Sequence, residues 1–418
     1  MILHAKVTIM LALRSCPALL AGLIGLTASA PLAAQGTPPE FDGARAFIER
    51  AMQEADLPSV AVAVAKDGRI VWAQGFGYSD LERRIPATPR TMYSLASISK
   101  PMTATALMRL VERGEIELDR PANEYLGDGR IHSRVHDARG ATVRRVLSHS
   151  AGLPLHYEFF YEGEDHPRRG TDEGIARYGI LFAPPGDVYQ YSNLGYGIIE
   201  RMIEQAHGRD YADVLRSEVF DPLGMTRSAV STGAGLDDSV AVRYGPDNTP
   251  VPHYDFDHRG GSAIYSSALD LARFGTFHLG ALRDRGARIL ADSTRLAMQR
   301  PISAGATSDG YGLGWAVQAD DGGYLRISHT GGMPGVATGL YLYPEHNVAV
   351  VVLTNRSNGL VGRIAQELAG AVLPGYTERW SERRAVAAAR APATPTSAAT
   401  ASLLGEWSGM IYTPEDSV

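Results

Sequence analysis

Ser59-Val60-Ala61-Val62-Ala63-Val64-Ala65-Lys66-Asp67-Gly68-Arg69-Ile70-Val71-Trp72-Ala73 is the stretch on which the fold turns. Two β-rich runs, residues 59–65 and 70–73, flank Asp67-Gly68, a dipeptide suited to the positive φ angles of a tight hairpin. Just upstream, Phe41, Ala44, Phe47, Ile48 and Met52 recur at helical spacing over residues 41–55. Toward the other end, residues 312–318, 324–329, 337–343 and 348–354 read as short strands, and the last two are joined by Pro344-Glu345-His346-Asn347. A helical period returns over 360–372. Hairpins at both ends with helices outside them predict an α+β fold: an antiparallel β-sheet flanked by helices. The intervening residues 96–280 are mostly helix and loop, expected as a helical insert domain over one end of that sheet.

The chain has 418 residues, 44% of them hydrophobic and 21% charged, which excludes a disordered or collagenous protein. Forty basic against forty-six acidic side chains leave a net charge of −6, spread without long runs. Nucleic-acid binding is disfavoured, because phosphate neutralisation needs a clustered basic face. Lys6, Lys66 and Lys100 are the only lysines; every other basic residue is arginine. Arginine does not give up its proton in a protein and lysine can, so a position that stays lysine is informative.

Residues 1–34 read as an export signal: Lys6 and Arg14 precede an uncharged apolar stretch from Pro17 to Ala34 that ends in small residues. Met10 is an alternative start, and a retained anchor is the alternative to cleavage near Gln35. The sole cysteine, Cys16, falls inside that segment, so the mature chain offers no thiol for a nucleophile, disulfide or metal site. The expected location is periplasmic or secreted, with no stable membrane insertion once the signal is removed. Residues 35–384 then form the main domain and 385–402, rich in Ala, Pro and Thr, a linker. Residues 403–418, with Leu404-Gly405-Glu406-Trp407-Ser408-Gly409, open a β segment that stays incomplete.

The strongest chemical signal is Ser97-Ile98-Ser99-Lys100, where a loop meets an amphipathic helix running to Arg113. Positions three apart share a helix face, so a hydroxyl and an amine can meet there. A hydroxyl is a weak nucleophile until a neighbour takes its proton, and a nearby helix N-terminus favours an oxyanion. Tyr191-Ser192-Asn193 follows the loop Pro184-Pro185-Gly186 and places a phenol and an amide at a turn. The phenol can act as a base where cations hold its charged form; an aromatic staple with a Ser or Asn cap is the structural alternative. His329-Thr330-Gly331-Gly332 ends a predicted strand, where small residues let a substrate backbone approach and side chains donate hydrogen bonds, unless it is only a strand exit.

In the order SxxK, YxN and [K/H]TG these segments resemble the class C β-lactamase and penicillin-recognising serine hydrolase superfamily, with its D,D-carboxypeptidases and esterases, over residues 41–375. Residues 142–154, containing Leu147-Ser148-His149-Ser150-Ala151-Gly152-Leu153-Pro154, and 266–274 add to the likeness. The resemblance implies an acylated nucleophile at Ser97, its proton partner at Lys100 and a general base at Tyr191. It implies substrate contacts from Asn193, His329, Thr330, Gly331 and His156, and an oxyanion hole from the main-chain amides of Ser97 and Gly332. His329 replaces the lysine typical of class C enzymes, and His156 their usual glutamine; a partly charged imidazole at 329 is expected as a pH-sensitive carboxylate anchor.

His253, Asp255, Asp257 and His258 are of zinc-ligand type, yet they lie in a Pro- and Gly-bounded stretch without helical spacing. No metal and no cofactor is expected, and His149 reads as a structural hydrogen-bonder. The expected activity is exported serine hydrolysis of an amide, lactam or ester in a small-molecule or peptidoglycan-like substrate. A catalytically silent binding or sensor module is the alternative.

Overall fold

The computed structural model describes residues 37–165, 169–231, 240–282, 288–304 and 310–390. The expected export signal at 1–34 and the β segment at 403–418 lie outside the described residues. Nine strands form one antiparallel sheet in the order Ile85–Pro86, Arg69–Asp80, Ser59–Lys66, Val348–Thr354, Val336–Tyr343, Leu325–Met333, Ala316–Ala319, Gly310–Tyr311 and Ser303–Ala304. The first hairpin therefore pairs with the last strand among the described residues, Val62 opposite Val352 and Ala63 opposite Val351. The α+β reading is the observed architecture.

Alternation along the central strands divides the core in two. Val60, Val62 and Val64, with Val348, Val350 and Val352, face Phe41 and Ile48 of the helix Asp42–Ala55 and Ile364 and Leu368 of Val361–Gly370. Each buried valine contributes about 1.5–3 kcal/mol. Ala61, Ala63 and Ala65 face the opposite way, where their small side chains admit Leu271 and Phe274 of the helix Ala268–His278. That helix comes so close that a Cβ at Gly275 would press on Leu342 and Ala349.

Between Tyr93 and His278 the chain builds the helices Ser99–Glu112, Thr171–Tyr178 and Asn193–His207 and two small sheets. One of these sheets pairs Phe159–Tyr161 with Tyr254–Phe256. Some boundaries move from their expected places for local reasons. Arg69–Asp80 outlasts the expected 70–73 because Gly75 and Gly77 interrupt the side-chain pattern without ending the backbone ladder. The expected strand 312–318 gives way to Gly310–Tyr311 and Ala316–Ala319, with Gly314 at φ 90° between them. The helix Tyr376–Arg390 runs past the linker boundary drawn at 384, carried by Ala385, Ala387, Ala388 and Ala389, the best helix former. Among the described residues, no helix is long and apolar enough to cross a membrane.

Candidate active site

The turn Ala96–Ile98 is a single 3-10 turn that leads into the helix Ser99–Glu112. Ala96 takes φ 48°, a left-handed conformation that costs a non-glycine residue about 1–2 kcal/mol. Such strain persists only where the surroundings fix it, and here it turns the partly exposed Ser97 to the surface above a fully buried Lys100.

Lys100 Nζ lies 3.1 Å from Ser97 Oγ, 2.8 Å from Asn193 Oδ1 and 3.0 Å from the carbonyl oxygen of Gly261. It stands 4.7 Å from the centre of the Tyr191 ring and 5.6 Å from that of Tyr196. These three oxygen partners carry no formal charge. Burial, with no counter-ion among the described residues, drives the Lys100 amine well below the ordinary lysine range. As a free amine it has two hydrogens, one each for Asn193 Oδ1 and Gly261 O, and a lone pair left for the Ser97 hydroxyl.

Asn193 opens the helix Asn193–His207, and two neighbouring contacts fix it. Its N–H donates to Leu155 O, and Ser192 Oγ accepts the Gly195 N–H as the helix cap while donating to Pro154 O. Tyr191 hydrogen-bonds the Ser97 side chain, but burial pushes the phenol above its usual range. Burial thus disfavours the phenolate form of Tyr191. Beside it, His149 Nδ1 accepts the Ser192 N–H and its ring packs 4.3 Å from Tyr191, a structural placement.

The strand Leu325–Met333 supplies the other wall. Its pairing with Ala316–Ala319 ends at Ser328 opposite Ala316, so no described strand continues along the outer edge of residues 329–333. Thr330 and Gly332 are exposed, while His329 and Gly331 turn inward. Any side chain at Gly331 would collide with Leu95 O and Thr338 Oγ1, so glycine is what lets this strand lie on the Ser97 turn. A Cβ at Gly332 would meet open space.

Two of the expected substrate contacts, His329 and His156, have polar partners within the protein. His329 Nδ1 is 2.7 Å from Thr330 O, which only accepts, so Nδ1 carries the proton and Nε2 accepts from the Tyr311 hydroxyl at 3.0 Å. Burial brings this imidazole down to about 3, which favours the neutral ring over a pH-sensitive cationic anchor. His156 Nε2 lies 2.5 Å from Asp257 Oδ2 and its ring stacks on Tyr178 at 3.8 Å, which commits its polar edge to a carboxylate. Sequence reasoning missed Gly261 O, a backbone atom without a side-chain signature, and Tyr311, whose role appears only through His329.

A family model described as Beta-lactamase matches residues 44–372. The chain belongs to the beta-lactamase family. This family comprises serine hydrolases, and the chain shares 29% identity over 341 residues with the unguisins hydrolase ungD' of Aspergillus campestris, covering 77% of this chain. The chain spans only 62% of that relative's own length. It is 29% identical over 355 residues to penicillin-binding protein 4 of Amycolatopsis lactamdurans, covering 77% of this chain and 88% of the relative. Among solved structures, the octameric penicillin-binding protein homologue from Pyrococcus abyssi superposes with a TM-score of 0.68 at 28% identity, covering 79% of this chain and 77% of that one. The sheet with its helical segment is thus the beta-lactamase-family fold, and the Ser97–Lys100 cluster lies within the matched residues.

Proposed function

We propose that this beta-lactamase-family chain is an exported serine hydrolase of the class C type that works through an acyl-enzyme on Ser97. The observation that carries the proposal is the buried Lys100 amine, without a carboxylate partner, 3.1 Å from Ser97 Oγ. In this mechanism Lys100 Nζ takes the hydroxyl proton as Oγ bonds to the substrate carbonyl carbon. The main-chain amides of Ser97 and Gly332 receive the oxyanion. The neutral Tyr191 phenol, bonded to Ser97, passes the proton from Lys100 to the leaving alcohol or amine. Water then attacks the acyl carbon, its proton follows the same route back, and Ser97 is released as the alcohol.

The substrate class follows from His329. A neutral ring locked between Thr330 O and the Tyr311 hydroxyl offers no cation to a substrate carboxylate. Esters and amides with uncharged acyl and leaving groups are therefore favoured over β-lactams and D-Ala-D-Ala peptides. The name of the fungal relative, a hydrolase of unguisins, is compatible with such a range.

Fluorophosphonate labelling with mass mapping tests the nucleophile: the adduct is expected on Ser97 and absent in Ser97→Ala. Ligand binding without any adduct would instead support a silent module. A panel of p-nitrophenyl esters, nitrocefin and a D-Ala-D-Ala peptide tests the substrate class, with kcat/KM expected to be highest for the esters.

A further inference from the structure

Asp257 and His258 lie in the run that follows the strand Tyr254–Phe256, and His156 precedes that strand's partner, Phe159–Tyr161. The antiparallel pairing of these two strands brings His156 to Asp257 across a large gap in sequence. His156 Nε2 is 2.5 Å from Asp257 Oδ2, and His258 Nε2 is 3.6 Å from Asp257 Oδ1. The ligating atoms of all three residues fall within 4.8 Å of one another.

A second observation is independent of that clustering. His258 is 2% exposed, yet neither ring nitrogen has a hydrogen-bond partner among the described residues. An orphaned buried imidazole costs free energy unless something absent from the protein's own atoms satisfies it. Its ring is held close against the helix Asn193–His207, where a Cβ at Gly197 would strike it. Asp257, 1% exposed, is anchored by the Glu158 N–H at 3.2 Å from Oδ1 and so keeps its carboxylate aimed at both histidines.

The geometry points to a transition-metal site of Zn²⁺ type formed by His156, Asp257 and His258. Two imidazoles and a carboxylate are ordinary zinc ligands, and three of them leave a fourth position for water or another donor. Ligands at about 2.0–2.2 Å from a tetrahedral ion stand roughly 3.3 Å apart. The His258–Asp257 separation, to Oδ1, is already near that value. The His156–Asp257 contact, to Oδ2, opens by less than about 1 Å as the ion replaces the proton between them, so the carboxylate spans the ion with both oxygens, and the two imidazoles, within 4.8 Å of each other, close by up to about 1.5 Å. Partly exposed, His156 gives the ion a way in. The bound ion would tie the loop that follows Leu155, whose carbonyl holds Asn193, to the segment that presents Gly261 O to Lys100.

The test uses tag-free full-length protein stripped with a chelator and titrated calorimetrically with ZnCl₂ near neutral pH, and with CoCl₂ to read visible absorption. One ion per chain is expected, with a four-coordinate cobalt spectrum. His258→Ala should lose stoichiometric binding, and His156→Gln should weaken it roughly tenfold or more. His253→Ala, outside the cluster, should bind like the parent. Absence of binding to the parent overturns the site and leaves an ordered water as the partner of His258. Unchanged affinity in His156→Gln also overturns it, and this variant keeps the test decisive if near-UV circular dichroism shows His258→Ala to be misfolded. Neither readout depends on hydrolase activity.

Discussion

Arg259 and Lys100 are held by the two ends of one short segment, residues 259–261, and are treated in opposite ways. Arg259 meets three carboxylates: Nε is 2.9 Å from Glu200 Oε1, and its terminal nitrogens reach Glu204 at 2.8 Å and Asp210 at 3.0 Å. Although burial works against its charge, these acids hold the guanidinium above its ordinary range. Glu200 is fully buried and also accepts the N–H groups of Arg259 and Gly260, at 2.6 and 2.8 Å. Two residues further on, Gly261 offers Lys100 only a carbonyl oxygen. A buried cation among acids is architecture. A buried amine among neutral oxygens is held in the form that can accept a proton.

The largest way to break this contrast is Lys100→Arg, which puts a permanent cation where a titratable amine is required. Esterase turnover should fall roughly 10²–10⁴-fold, the usual worth of a general base, while the circular dichroism spectrum is retained. Full activity in this variant would remove Lys100 from the mechanism.

Arg259→Met attacks the other side. It leaves the buried Glu200 carboxylate without its cation and should cost about 3–5 kcal/mol in urea unfolding. Lys100→Met should cost much less, because it strands no opposite charge; equal losses would erase the distinction.

The pH dependence sharpens the comparison further. Lys100 has a lowered value and acts as the free amine, so kcat/KM should rise with pH through an inflection well below the ordinary lysine range of about 10.4 and be lost as pH falls below it. His329, at about 3, should contribute no inflection near neutrality, so His329→Gln should keep the profile. An inflection near 6 to 7 that vanishes in His329→Gln would show that its ring is not locked neutral.

The smallest effect is expected from His329→Lys, which sets a cation near the uncharged Lys100 amine. KM for carboxylate-bearing substrates should drop several-fold, as the longer lysine side chain reaches out from the inward-facing position to place its charge at the cleft. An unchanged KM would mean that carboxylates are read elsewhere in the cleft.

Much of this arrangement was legible in the chain. The hairpin and the late strands announced the sheet because alternation and turn residues are local, and the SxxK spacing announced that Ser97 and Lys100 meet because positions three apart share one helical turn. The Tyr191 and Asn193 placements followed from a loop that ends in a helix start. What could not be read depends on partners distant in sequence. Whether Lys100 is neutral depends on which oxygens surround it, and one of them belongs to the backbone of Gly261. His329 looked like a charged anchor because nothing near it in sequence names Tyr311. The metal-type residues at 253–258 looked inert because their partner, His156, arrives only when two short strands pair.

The strand edge left open beyond Ser328 has one further consequence. An extended chain that docks there by its backbone turns alternate side chains to opposite faces, so the protein inspects every second residue of its guest and ignores those between. Selectivity along such a guest would therefore come in steps of two, a rhythm set by pleat geometry before any bond is broken.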